Sequence, residues 1–145
     1  MRAVIQVAST AHVEVDDEIV GRLPAPGLVV LLGVTHEDDE ATARKVAKKI
    51  WRLRILADEA SAESTNAPLL VISQFTLYAA VRKGRRPSWS AAAPGAVSEP
   101  LYEYFVGCLR ELGAHVETGR FGEMMNVSLV NSGPMTIIVD SADLP

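Results

Sequence analysis

The segment Ser73-Gln74-Phe75-Thr76 puts two hydroxyls and an amide directly after the apolar run Leu69-Leu70-Val71-Ile72, at the end of an expected strand. Two readings fit it. In one, the polar side chains satisfy backbone groups where the strand stops. In the other, backbone N–H groups and the Gln74 amide polarise an ester carbonyl, with Thr76 as a hydroxyl donor or weak nucleophile. Further on, Asn131-Ser132-Gly133-Pro134-Met135-Thr136 reads as a tight turn between strands. A Gly-Pro bond can also be cis, and a rigid turn with projecting carbonyls makes a steric gate. Between the two, Arg82-Lys83-Gly84-Arg85-Arg86 packs four positive side chains into five positions, followed by Pro87-Ser88-Trp89. That stretch is either a solvated surface or a grip on phosphates with an aromatic ring to stack on a base.

Familiar catalytic kits are missing. No Gly-x-Gly-x-x-Gly, Walker loop, His-Glu-x-x-His or Gly-x-Ser-x-Gly elbow occurs. The three histidines, His12, His36 and His115, have no ligand spacing, and Cys108 is the single cysteine, so no metal centre, internal disulfide or cofactor is expected. Phe105, Leu109 and Leu112 around Cys108 suggest a buried apolar thiol, while Trp51 and Met124-Met125 read as core or interface residues.

The elements that must position these groups follow from periodicity. Val4 and Gln6, then Val13 and Val15, then Ile19-Val20 after Asp16-Asp17, read as β-segments that form a hairpin. Leu28 to Val34 is a continuous apolar run fit for a strand buried on both faces. Ala43, Val46, Ala47, Ile50 and Leu53 recur at helical spacing, with Thr35 and Asp38 as candidate N-caps. Asp58 to Pro68 is turn-prone, and Ala79 to Gly95 is a long loop of the kind that carries function. Leu101, Tyr102, Phe105, Leu109 and Leu112 mark a second helix closed by Gly113, after which strands return at His115–Glu117, Asn126–Val130 and Met135–Val139. The expectation is one α+β or α/β domain over residues 1–145, with a curved, barrel-like sheet of seven or eight strands and two amphipathic helices. Two helices cannot cover both faces of such a sheet, which favours dimerisation.

Composition sets the outer limits. The 145 residues are 48% hydrophobic and 22% charged, in the range of a globular protein able to bury one core. No run approaches a membrane span or a signal segment, so a cytoplasmic protein is expected. A net charge of −4 argues against coating nucleic acid by bulk electrostatics; if RNA is touched, the Arg82–Arg86 loop is the candidate and only a short stretch is held.

Together, Ser73-Gln74-Phe75-Thr76-Leu77-Tyr78 and Asn131-Ser132-Gly133-Pro134-Met135-Thr136 resemble the two signature motifs of the D-aminoacyl-tRNA deacylases. Met1-Arg2-Ala3-Val4-Ile5-Gln6, Gly33-Val34-Thr35-His36, the Arg82–Ser88 loop and Glu117-Thr118-Gly119-Arg120-Phe121-Gly122 resemble that family too, in the same order. The resemblance implies hydrolysis of the ester between a D-amino acid, or glycine, and tRNA. It implies a homodimer with the site at the interface, where Gly133-Pro134 of one chain, through a cis bond, enters the other chain's pocket. Carbonyls of that turn would exclude an L side chain and hold the D-residue's ammonium group. Ser73, Gln74 and Phe75 would surround the ester, Thr76 would support the pocket, and Phe121 and Met125 would lie near the terminal adenosine. Arg82, Lys83, Arg85 and Arg86 would hold tRNA. For chemistry, the resemblance favours the terminal ribose 2′-OH assisting a water over a threonine nucleophile.

Two departures stand out. Position 7 is Val where the family commonly carries an Arg that braces the Gly-Pro turn, and Asp58–Pro68 is shorter than the usual stretch. The alternatives are a deacylase of relaxed chirality, one that mainly clears glycine, a dimeric tRNA-binding module without turnover, and a small-molecule hydrolase. Intact Ser73-Gln74 and Gly133-Pro134 disfavour the third, and the basic loop without a general base disfavours the fourth.

Overall fold

A computed structural model describes residues 1–145. Its mixed sheet has six strands: β1 (Arg2–Val15), β2 (Glu18–Arg22), β3 (Gly27–Gly33), β4 (Leu69–Ser73), β5 (Val116–Thr118) and β6 (Asn126–Asp140), in the order β2-β1-β3-β4-β5 with β6 on β1. The helices are α1 (Glu40–Arg52), α2 (Ala62–Thr65) and α3 (Gly95–Glu111). No helix is long and apolar enough to cross a membrane.

Six strands replace the expected seven or eight because two pairs of segments are continuous. Val4–Gln6 and Val13–Val15 belong to one strand, β1, and the segments flanking Gly133-Pro134 belong to β6. Long strands hide in a sequence when a register shift breaks their alternation. Along β1 and β6, Gln6 faces Thr136 and Ala8 faces Asn131, so Val7 alone stands opposite Ser132–Met135. The Gly133-Pro134 turn is this excursion from the ladder, and its peptide bond is cis.

The first half of β1 pairs with β3 and the second half with β2, while β4 is parallel to both β3 and β5. A Cβ on Gly21 of β2 would lie 2.1 Å from the Thr118 carbonyl oxygen of β5. With β2 this close to β5, the circuit β1-β3-β4-β5-β2 is nearly closed, giving the curved, barrel-like sheet. Alternate residues of β3 and β4 feed two cores. Leu28, Val30, Leu32, Leu69 and Val71 join the buried faces of α1 and α3, while Val29, Leu70 and Ile72 pack with Ala8, Ala11 and Val13 on the other side. This explains the unbroken apolar runs, since strands buried on both faces need no polar side.

α1 buries Ala43, Val46, Ala47, Ile50 and Trp51. Its cap is Asp39, whose carboxylate accepts from Thr42 N at 2.8 Å, in place of the expected Thr35 or Asp38. Asp38 is committed elsewhere, accepting from Thr35 N and the Met1 amino group. α3 buries Leu101, Tyr102, Phe105, Cys108 and Leu109, and Gly113 follows it at φ +103°. The third helix, α2, falls in the turn-prone Asp58–Pro68 stretch, where Ser61 and Ser64 form a capping box.

Candidate functional site

Ligands commonly gather beyond the carboxyl ends of parallel strands. β3 and β4 end side by side at Gly33 and Ser73, and a cavity of about 430 Å³ opens there, with Leu32, Val34, Ile72, Ser73, Gln74 and Phe75 in its wall. The parallel ladder runs one step past β4, as Gln74 N donates to Leu32 O at 2.8 Å. The chain then winds through a single 3₁₀ turn, Phe75–Tyr78. That turn packs so closely on β3 that a Cβ at Gly33 would lie 3.1 Å from the Gln74 carbonyl oxygen.

Arg2 anchors the turn, donating to Leu77 O and Asp140, both at 2.8 Å, with its guanidinium over the Tyr78 ring. Burial pushes the Tyr78 hydroxyl's pKa well up. Gln74 Nε2 donates to Thr76 Oγ1 at 2.6 Å. Thr76 itself is outside the cavity wall, so it holds the Gln74 amide from behind.

The facing wall comes from α3 and the loop before β6. Phe121 and Met125 line it beside Tyr102, Glu123 and Met124. Tyr102 and Phe121 rings sit 6.0 Å apart, and Tyr102 Oη donates to Val71 O at 2.7 Å. Burial raises the Tyr102 pKa to about 12, which keeps the phenol protonated and removes it as a base at neutral pH. None of the histidines reaches the cavity: His12 and His115 meet Glu14 and Glu117, and His36 meets Ser90 O. The cavity lining thus carries three hydroxyls, one amide and apolar walls, with Glu123 the one carboxylate; Ser98 and Tyr102 donate to Pro94 O and Val71 O, which leaves Ser73 as the uncommitted hydroxyl. Such a site can position and polarise an ester but carries no acid–base pair.

The second motif is elsewhere in the chain. Gly133 and Pro134 line a separate cavity of about 630 Å³ with Val7, Ala8 and Met135. Val127 lines the first cavity, and Gly133 is six residues further along β6, on the order of 20 Å away at strand rise. Asn131 braces the turn, its Nδ2 donating to Val7 O at 2.9 Å and Met135 O at 3.1 Å. Thr136 Oγ1 accepts from Gln6 Nε2 at 3.0 Å. The four cations Arg82, Lys83, Arg85 and Arg86 are exposed on a tip closed by two hydrogen bonds between Ala80 and Ser88.

The structure therefore gathers Ser73, Gln74, Phe75, Phe121 and Met125, and leaves Asn131, Gly133, Pro134 and Thr136 apart from them. Sequence reasoning missed Tyr102 and Glu123 in the cavity. Tyr102 sits at core spacing on α3, and nothing in its pattern marks it as also facing a cavity. Met124, read as core or interface, is 92% exposed in the single chain.

Residues 4–140 match the family described as D-Tyr-tRNA(Tyr) deacylase. A D-aminoacyl-tRNA deacylase of Cutibacterium acnes is 65% identical over 143 residues, covering 99% of each chain. One from Nocardia farcinica is 61% identical over 143 residues, covering 97% of this chain and 100% of the relative. Among solved structures, one described as c-Myc DNA Unwinding Element Binding Protein superposes with a TM-score of 0.88 at 34% identity, over 97% of this chain and 98% of that one. A probable eukaryotic D-amino acid tRNA deacylase has a TM-score of 0.84 at 18% identity, over 95% and 97% of the two chains, a likeness of fold.

Proposed function

Because the chain belongs to the D-Tyr-tRNA(Tyr) deacylase family, we propose that it works as a homodimer in which each cavity receives the Gly133-Pro134 turn of the other chain. The activity is hydrolysis of the ester bond in D-aminoacyl-tRNA, and the tRNA substrate puts the protein in the cytoplasm. One observation supports the dimeric reading: the Gly133-Pro134 turn lies far from its own chain's ester cavity, so a role for it in ester recognition calls for the cavity of a second copy. The outer strand supports it as well. β6 pairs only with β1 and leaves Val130 and Ile138 more than half exposed, an edge and a face that a second copy would cover.

In this arrangement the terminal adenosine lies between Phe121 and Met125, and the ester carbonyl meets Ser73, the Gln74 amide and backbone N–H groups. The turn's carbonyls hold the ammonium group of a D-residue and leave no room for an L side chain. Glycine, with no side chain, passes the same filter and is a second substrate. Val7 does not leave the turn unbraced, since Asn131 ties it to the Val7 backbone. With no base beside Thr76 and its oxygen accepting from Gln74, the attacking group is a water assisted by the ribose 2′-OH, which the bound substrate brings into place. The basic loop holds backbone phosphates near the acceptor end.

Release of D-tyrosine from D-Tyr-tRNA tests the assignment. The purified chain should cleave the ester, and Gln74→Ala should lose about 100-fold in rate while its melting temperature is kept. A Gln74→Ala variant as fast as the parent would remove the amide from the mechanism.

A further inference from the structure

Phe75 and Trp89 form an edge-to-face pair, with ring centroids 5.4 Å apart and planes at 74°. Phe75 belongs to the cavity wall, so Trp89 stands on the rim just outside it. Both rings face solvent, Phe75 57% and Trp89 43% exposed, an unusual cost for two large aromatics side by side. The indole is nevertheless not on a loose loop. Ser88, the residue before it, pairs with Ala80 through bonds of 2.8 and 2.9 Å. After it, His36 Nε2 meets Ser90 O at 2.7 Å, Thr35 Oγ1 donates to Ala91 O at 2.6 Å, and Ala93 N donates to Val34 O at 3.0 Å. A fixed backbone presents a flat apolar face beside the cavity, an arrangement that loses little entropy on binding.

Charge indicates what covers that face. Arg82, Lys83, Arg85 and Arg86 project from the adjoining tip, and none takes part in any of the chain's ion pairs, although the chain is acidic overall. Unpaired cations beside an exposed aromatic are the combination that holds single-stranded nucleic acid, phosphates on the cations and bases on the ring. Resting on the deacylase reading, which puts the terminal adenosine in the cavity, we propose that Trp89, oriented by Phe75, is the stacking platform for the neighbouring base of the single-stranded RNA 3′ end. Trp89 is then a recognition residue for the RNA and takes no part in the ester chemistry.

The test compares D-Tyr-tRNA with D-tyrosyl-adenosine, which carries the same ester but no neighbouring base. Trp89→Leu should lower kcat/KM for the tRNA about ten-fold relative to that for the adenosine ester, and Trp89→Phe should restore most of the ratio. In parallel, the RNA trinucleotide CCA should quench the parent's tryptophan emission, against a constant background from buried Trp51, and should leave Trp89→Phe unquenched. Equal effects of Trp89→Leu on both substrates, or none on either, overturn the platform. So does Trp89 emission already shielded from iodide in the free protein, because a second chain would then cover the ring. If the parent cleaves neither ester, the deacylase reading fails, and CCA quenching alone decides whether Trp89 binds RNA.

Discussion

Gly133→Ala separates the gate from the fold. A Cβ built at Gly133 has its nearest neighbour, Asn131 Oδ1, at 4.0 Å, and Gly133 is not among the glycines at positive φ. Apart from its two chain neighbours, the methyl therefore meets nothing within one chain. The expected change in stability is within about 0.5 kcal/mol, with a small gain from the less flexible unfolded chain. At this length that is a shift of about 2 °C or less in melting temperature. Gly27→Ala provides the contrast, because its Cβ would lie 2.0 Å from the Pro68 carbonyl oxygen and should cost about 2 kcal/mol or more. In the proposed dimer, however, the Gly133 methyl would enter the partner's cavity and displace the carbonyls proposed to face the substrate's α-carbon. A loss of about 1.4–2.8 kcal/mol in discrimination corresponds to a ten- to hundred-fold fall in the D-over-L rate ratio. Initial rates on D-Tyr-tRNA and L-Tyr-tRNA, alongside thermal scans of both variants, measure the two effects. An unchanged rate ratio with an unchanged melting temperature would refute the gate.

On the proposed mechanism Thr76→Ala removes the acceptor for the Gln74 amide but no nucleophile, so the single-turnover rate should fall less than about ten-fold, well short of the loss on removing a catalytic nucleophile. Asp140 gives a pH prediction. Burial alone would raise its pKa, but hydrogen bonds from Ala142 N and Arg2 outweigh that and hold it below the ordinary value. Its contribution to stability is then present above the unfolded pKa of about 3.9 and is lost as pH falls through the lower folded value. Asp140→Asn should melt below the parent at pH 7, with the gap closing below about pH 4, and a gap that persists into acid would contradict the assignment.

Legibility followed the range of the interactions. The faces of α1 and α3, the C-terminal Gly113, the doubly buried β3 and the apolar strand β4 are set by local spacing, and they emerged from the residues themselves. The strand count did not, because the excursion at Ser132–Met135 depends on Asn131 bonding Val7, 124 residues away in sequence. α2 was hidden because four residues held by a serine capping box leave too short a pattern to read. Within the site, Ser73, Gln74 and Phe75 were legible as polar and aromatic groups at a strand end. The cavity opposite them is a product of packing between α3 and the chain leading into β6, so Tyr102 and Glu123 left no signal that spacing could reveal.

The most direct measurement is the hydrolysis of matched D-Tyr-tRNA, L-Tyr-tRNA and Gly-tRNA by the purified protein. Rapid loss of the D-ester and the glycyl ester, with the L-ester spared, is the predicted result, since Asn131 holds the turn in the absence of an arginine at position 7. Equal loss of the D- and L-esters would contradict the gate, and survival of all three would contradict deacylation itself.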